Sequence, residues 1–235
     1  SNVEYAVHSA LFFSFYQSLS GTALDDVAAN LQKYRQFISE KKFAYNLEFI
    51  RLWQQYVLNL QAASGDPLLL NGEAFYEAEQ LPLLEQTHNV TILFCYHSIK
   101  LMLAYLFNDD EAAIRHYQAA LPLTGVAMSL YHQTEFYFFA ALLATRLCKQ
   151  NPALQQQWQP LAEQYLNQLQ QWTNRAAANH QHKVALITAG GTGIRSLSRS
   201  ARRILKRCCR LRALLRSTRA RASFLLTPMG STEEE

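Results

Sequence analysis

Apolar side chains recur every three or four residues through most of the first 187 positions, a period that commits the backbone to α-helix. Tyr5, Ser9, Phe12, Tyr16 and Leu19 form the first such stripe, and Val27, Leu31, Tyr34 and Ile38 the second. A third helix is expected over 43–60, with Leu47, Ile50, Gln54 and Val57 along one side. A shorter one follows over 73–86, kinked at Pro82, and another over 90–107. Asn108-Asp109-Asp110 caps the next helix, which ends near Pro122. Phe136, Phe139, Leu143 and Leu147 mark a further helix closed by Asn151-Pro152. A helix over 154–174 comes next, and Ala185-Leu186-Ile187 belongs to one more element. No alternating run is longer than five residues, so no strand is expected.

Composition agrees with a packed core. Apolar residues make up 49% of the chain, and its 13 Phe, 12 Tyr and 3 Trp exclude a disordered body. Trp53, Phe136 and Phe139 each lie on an apolar face and are expected to be buried. Eight Gly and six Pro are too few for an all-β domain with a turn every ten residues. Charge divides the chain. Residues 1–187 carry 11 Lys/Arg against 15 Asp/Glu, and residues 188–235 carry 11 against 3. A body at −4 therefore precedes a tail at +8, and the tail holds one Phe, no Tyr and no Trp. We place the boundary at 189, giving a helical region over 1–189 and a basic, disordered tail over 190–235.

Candidate chemistry is sparse. The chain has no GxxxxGK[ST] phosphate loop, no HExxH and no GxSxG turn. Its seven His are scattered, and His180 and His182, two apart, point to different sides of a helix. Glu77 with Glu79, and Asp109, Asp110 and Glu111, are acidic clusters, the second read as a helix start. Cys95 and Cys148 sit alone in apolar stretches as small buried hydrophobes, and with Cys208 and Cys209 they show no metal-ligand spacing. No catalytic, cofactor-binding or metal residue is expected, and no cofactor. The residues Lys183-Val184-Ala185-Leu186-Ile187-Thr188-Ala189-Gly190-Gly191-Thr192-Gly193-Ile194 resemble the opening strand and glycine turn of short-chain dehydrogenases. Arg195 stands where that pattern has glycine, and no Tyr-xxx-Lys pair follows. A truncated dehydrogenase is the least favoured reading.

Leu19 through Val27 aligns without gaps on Leu106 through Ile114, each a helix end, a polar turn and an amphipathic helix start. That unit belongs to tetratricopeptide-like arrays, here degenerate. Several strings carry a wider likeness: Glu4-Tyr5-Ala6, Gln55-Tyr56-Val57-Leu58-Asn59-Leu60, Leu70-Asn71-Gly72-Glu73-Ala74-Phe75, Ala104-Tyr105-Leu106-Phe107 and Phe136-Tyr137. Trp172 to Lys183 is similar to a W-x4-P-x-N-x2-HK stretch, with Trp172, Asn179, His182 and Lys183 in register and Ala177 in place of the proline. Together they resemble the helical repeat region of large multidomain bacterial signalling proteins. In that family a serine/threonine kinase and an AAA-type ATPase precede the repeats, and GAF and histidine kinase domains follow.

The resemblance implies an all-α, tetratricopeptide-like stack that is non-catalytic. It would act as a scaffold or interaction segment, with kinase and ATPase modules outside these residues. Its partners would be other domains of the parent chain or signalling proteins. The Arg-rich tail adds non-specific anion or nucleic-acid contact, and its composition matches a frame-shifted extension. The alternative is a stand-alone helical adaptor whose tail binds nucleic acid or anionic membrane. No signal peptide or disulfide framework is seen, and the apolar run Phe136 to Leu143 is too short to span a bilayer. No membrane span and a cytoplasmic location are expected.

Overall fold

A computed structural model describes residues 2–61, 65–127 and 131–192. The described residues form nine α-helices and no strand: α1 Val3–Leu19, α2 Leu24–Glu40, α3 Ala44–Leu60, α4 Glu77–Gln86, α5 Val90–Phe107, α6 Asp110–Ala120, α7 Tyr131–Gln150, α8 Gln155–Arg175 and α9 Ala177–Thr192. Short 3-10 turns, Leu121–Ala127 and Pro152–Leu154, follow α6 and α7. The fold is all-α.

Local chemistry sets the helix ends. Asp109 accepts from the Ala112 N–H at 2.8 Å and Asn89 from that of Ile92 at 3.4 Å, each capping the helix that follows. Several helices stop at one residue in the left-handed region: Gly21 (φ 78°) after α1, Lys42 (φ 61°) after α2, His88 (φ 49°) after α4 and Asn108 (φ 61°) after α5. Gly21 and Asn108 are the paired positions of the internal alignment, and both have positive φ. Asp25 and Asp26 then open α2, and Asp110 and Glu111 open α6.

Packing follows chain order. α1 packs on α2 and α3, α2 on α3, α3 on α5, and α5 on α4, α6 and α7. α7 packs on α8 and α9, which also touch each other. Trp53, Phe136 and Phe139 are buried as expected. Cys95 is buried and Cys148 half-buried.

The structure corrects the sequence reading at several places. The buried side of α1 is Val7, Ala10, Leu11, Ser14 and Phe15. Of the stripe read from periodicity, Tyr5, Ser9 and Tyr16 are exposed while Phe12 and Leu19 are half-buried against the core, because α1 is apolar nearly all round. α4 begins at Glu77 rather than at 73, since an isolated bridge between Asn71 and Tyr76 holds those residues in a tight turn. The 3-10 segment after α6 carries no period that singles it out. α9 runs to Thr192, past the boundary placed at 189, and the glycine motif lies within it through Thr192. The dehydrogenase reading requires a strand there, and a helix stands in its place. The rest of the tail, 193–235, with Cys208 and Cys209, lies outside the described residues.

Among the described residues α5 is the one helix with the length and composition of a membrane span, which the sequence reading did not expect. With 18 residues and a mean hydropathy of 1.6 it is long and apolar enough to cross a bilayer. Its sides are taken instead by α3, α4, α6 and α7, and it carries the buried Lys100.

Candidate functional site

The densest polar chemistry lies where the 65–76 loop crosses α3, α4 and α5. α3 presents Gln55 and Asn59 one turn apart, both buried. The Gln55 amide nitrogen donates to the Asn59 side-chain oxygen at 2.8 Å, which fixes the orientation of both amides. Asn59 Nδ2 then donates to the carbonyls of Pro67 (3.1 Å) and Leu69 (2.7 Å). Gln55 Oε1 accepts from the backbone of Ala74 (3.3 Å) and Phe75 (3.4 Å). A Cβ on Gly72 would lie 2.7 Å from Gln55 Nε2, so glycine is what lets the loop approach this closely. Leu70 and Phe75, at 0% and 1% exposure, pin the loop into the core from its other side.

Glu77 closes the loop. Its backbone N–H donates to Asn71 Oδ1 at 3.0 Å, and its Oε2 accepts from the Leu70 N–H at 2.8 Å. Lys100 of α5 pairs with Glu77 at 2.9 Å and also donates to the Leu68 carbonyl. The Tyr96 hydroxyl donates to the same carboxylate. Burial raises the Glu77 pKa, but the Tyr96 hydrogen bond, the Lys100 charge and the Leu70 N–H outweigh it and leave it below its ordinary value. The Tyr96 hydroxyl is pushed well up, first by burial and then by Glu77. The side chains of Gln55, Asn59, Glu77, Lys100 and Tyr96 are thus tied to the loop or to one another.

Beside it, His97 of α5 and His116 of α6 face each other with their Nδ1 atoms 3.1 Å apart. Burial, reinforced by Lys100, lowers His97 to about 4 and His116 to about 3, so both are neutral. A second buried ion pair joins α7 to α9: Lys183 Nζ lies 2.6 Å from Glu135 Oε1, and the two side chains are 5% and 6% exposed. Lys183 also sits 4.7 Å over the Phe138 ring and 5.7 Å over that of Tyr131.

An open depression of about 560 Å³ lies between residues 66–68 and 107–111. Its acids are already engaged. Asp109 caps α6, Asp110 pairs with Arg146, Glu111 pairs with Arg115 at 3.5 Å, and Asp66 accepts from the Leu68 N–H at 2.8 Å. Reading Asp109, Asp110 and Glu111 as a helix start therefore agrees with the geometry.

The two acids read together part company, since Glu77 joins the cluster and Glu79 is exposed. His180 is buried, stacked on Tyr131 and tilted against Trp172, while His182 turns to another side and is half-buried. No group of three His, Cys, Asp or Glu able to hold a metal occurs among the described residues. Sequence reading missed Lys100, Glu135 and Tyr96 as polar partners. The available signal was a lone charge inside an apolar stretch, Lys100 within α5 and Glu135 before Phe136. It also missed that the strings at 55–60 and 70–75 meet in space. Comparison with known protein families, with curated proteins and with solved structures finds no match.

Proposed function

We propose that residues 1–189 are a degenerate tetratricopeptide-like stack. It serves as a non-catalytic scaffold or interaction segment of a multidomain cytoplasmic signalling kinase, whose kinase and ATPase modules lie outside these residues. One observation carries the reading. The buried ionic and amide groups are spent on joining one element to another: Gln55 and Asn59 to the loop, Lys100 to Glu77, Lys183 to Glu135. A protein that uses its buried charge this way holds neighbours at fixed geometry. The repeat reading has the further support of α1, α3, α5, α7 and α9 packing in succession with paired helices alongside, and of positive φ at the aligned positions Gly21 and Asn108.

Two measurements test it. Calorimetric titration of the purified chain with Mg-ATP and with NAD is expected to give no saturable heat, and stoichiometric binding of either overturns the non-catalytic assignment. Reading the coding DNA around the segment is expected to find an ATPase phosphate loop upstream in the same frame. An intact frame without one overturns the signalling-kinase assignment.

A further inference from the structure

Of the asparagines in the chain, Asn71 alone is followed by glycine. In an open backbone that pair is chemically labile. With no Cβ on the second residue to obstruct it, the Gly72 nitrogen swings onto the Asn71 side-chain carboxamide and displaces ammonia. The fold opposes this at both reacting groups. The Gly72 N–H donates to the Phe75 carbonyl at 2.9 Å, and Asn71 Oδ1 accepts from the Glu77 N–H at 3.0 Å. Asn71 also forms an isolated bridge with Tyr76. Gln55 leaves no room for a Cβ at 72, so the residue that lets the loop close is the one that makes Asn71 labile once it opens.

We propose that Asn71–Gly72 is a deamidation site shielded by the closed 65–76 loop, and that modification there makes an opening of the loop permanent. In the open loop the Gly72 nitrogen gives up its proton and its lone pair forms a bond to Asn71 Cγ. The bond from Cγ to the carboxamide nitrogen breaks, and that nitrogen leaves with the proton as ammonia. Water then adds to one of the two carbonyls of the five-membered imide and breaks its bond to the Gly72 nitrogen. In sum an amide and water become a carboxylate and ammonia, and nothing is oxidised or reduced. Attack at Cγ leaves aspartate in an ordinary backbone. Attack at the main-chain carbonyl leaves isoaspartate, whose main chain runs through Cβ and Cγ and is longer by one carbon. The two products differ in fit. A side-chain carboxylate at 71 can accept from the Glu77 N–H as the carboxamide does, at the start of α4, where negative charge is favoured. The isoaspartate backbone cannot close. Leu70 and Phe75, both buried, hold the loop on either side of it. An added carbon between them shifts Gly72 from the Phe75 carbonyl and Ala74 from Gln55 Oε1. The inference is independent of the scaffold reading, since it rests on the loop alone.

Ageing the full chain at mildly alkaline pH, with peptide mass spectrometry for a gain of one dalton at Asn71 and enzymatic methylation to detect isoaspartate, tests it. Asn71 is expected to deamidate readily in the urea-unfolded chain and about tenfold or more slowly in the native one, because reaction waits on local opening. Asn59→Leu, which removes a donor that holds the loop, is expected to restore much of the rate. The parent chain in subdenaturing urea is expected to show the same acceleration without a substitution. Asn71→Asp is expected to resist proteolysis within 65–76 as the parent chain does, whereas the isoaspartate fraction of the aged chain is cut there several-fold faster. An Asn71 that stays intact in urea overturns the site. Equal rates in the native and unfolded chains overturn the shielding. An isoaspartate fraction as resistant as the parent chain shows that the loop closes again and overturns the permanence.

Discussion

Taking the Lys183 ammonium and the Glu135 carboxylate out of water costs several kcal/mol per ion, offset only by their close approach and by the rings around them. An ion pair of this kind adds little net stability when intact, yet removing one partner strands the other. Lys183→Met is therefore expected to destabilise the chain by about 3–5 kcal/mol in urea unfolding. The double substitution Lys183→Met with Glu135→Leu, which buries no charge, is expected to recover most of that loss. A single-substitution cost under about 1 kcal/mol, the range of an exposed pair, shows that α9 is not seated on α7 as described. Half of this pair was legible in the sequence. Lys183 stood out only through the Trp172–Lys183 likeness, and Glu135 gave no periodic signal, because ion pairing over 48 residues leaves no local pattern.

At the scale of elements, the 65–76 loop is ordered by side chains of α3 rather than by a period of its own. Asn59→Leu keeps the volume but leaves the Pro67 and Leu69 carbonyls without their donor, at about 1–3 kcal/mol for each buried group left unpaired. Local opening is then expected before global unfolding. Limited proteolysis of the Asn59→Leu chain should cut first within 65–76, several-fold faster than in the parent chain. Equal cutting rates mean that Leu70 and Phe75 alone hold the loop. The same physics explains which elements the sequence disclosed. α2, α3 and α6 are amphipathic, so one stripe names the buried face. α1 is not, and its period picked a stripe of which Tyr5, Ser9 and Tyr16 are exposed, because more than one side satisfies it. The start of α4 was misplaced for another reason: Glu73 to Tyr76 have helical composition, but hydrogen bonds to Gln55 take the place of an early helical turn, a choice made by a residue some 19 positions away.

For the molecule as a whole, α5 is the axis on which α3, α4, α6 and α7 converge, and His97 on it faces His116 of α6. Burial lowers His132 of α7 to about 3, His116 to about 3 and His97 to about 4, against 6.5 for an ordinary imidazole. His132 is the deepest. Its Nε2 accepts from Trp53 Nε1 at 3.1 Å, and the rings of Phe15 and Phe49 pack against it. Protonation would forfeit that acceptor and place a charge among aromatic rings, and Glu135, one turn along, is already held by Lys183. Above pH 7 these histidines are neutral in both folded and unfolded chains, so they make stability independent of pH. Below 6.5 the unfolded chain takes up protons that the native state refuses, and stability falls with pH until the native values are reached. For His132 alone the loss at pH 5 is about 2 kcal/mol. Glu77, held below its ordinary 4.5, acts in the same direction but in a lower window, since the stability from its lowered pKa is lost only as pH falls through 4.5 and below. The Tm is therefore expected to be level near pH 7.5 and to fall steadily between pH 6.5 and 4.5. In His132→Gln, whose side-chain oxygen can still accept from Trp53, that fall should be shallower by the share of one proton. An unchanged slope in His132→Gln, or an imidazole that titrates near 6.5 by NMR in the native chain, shows that His132 is open to water and that α1, α3 and α7 do not close over it.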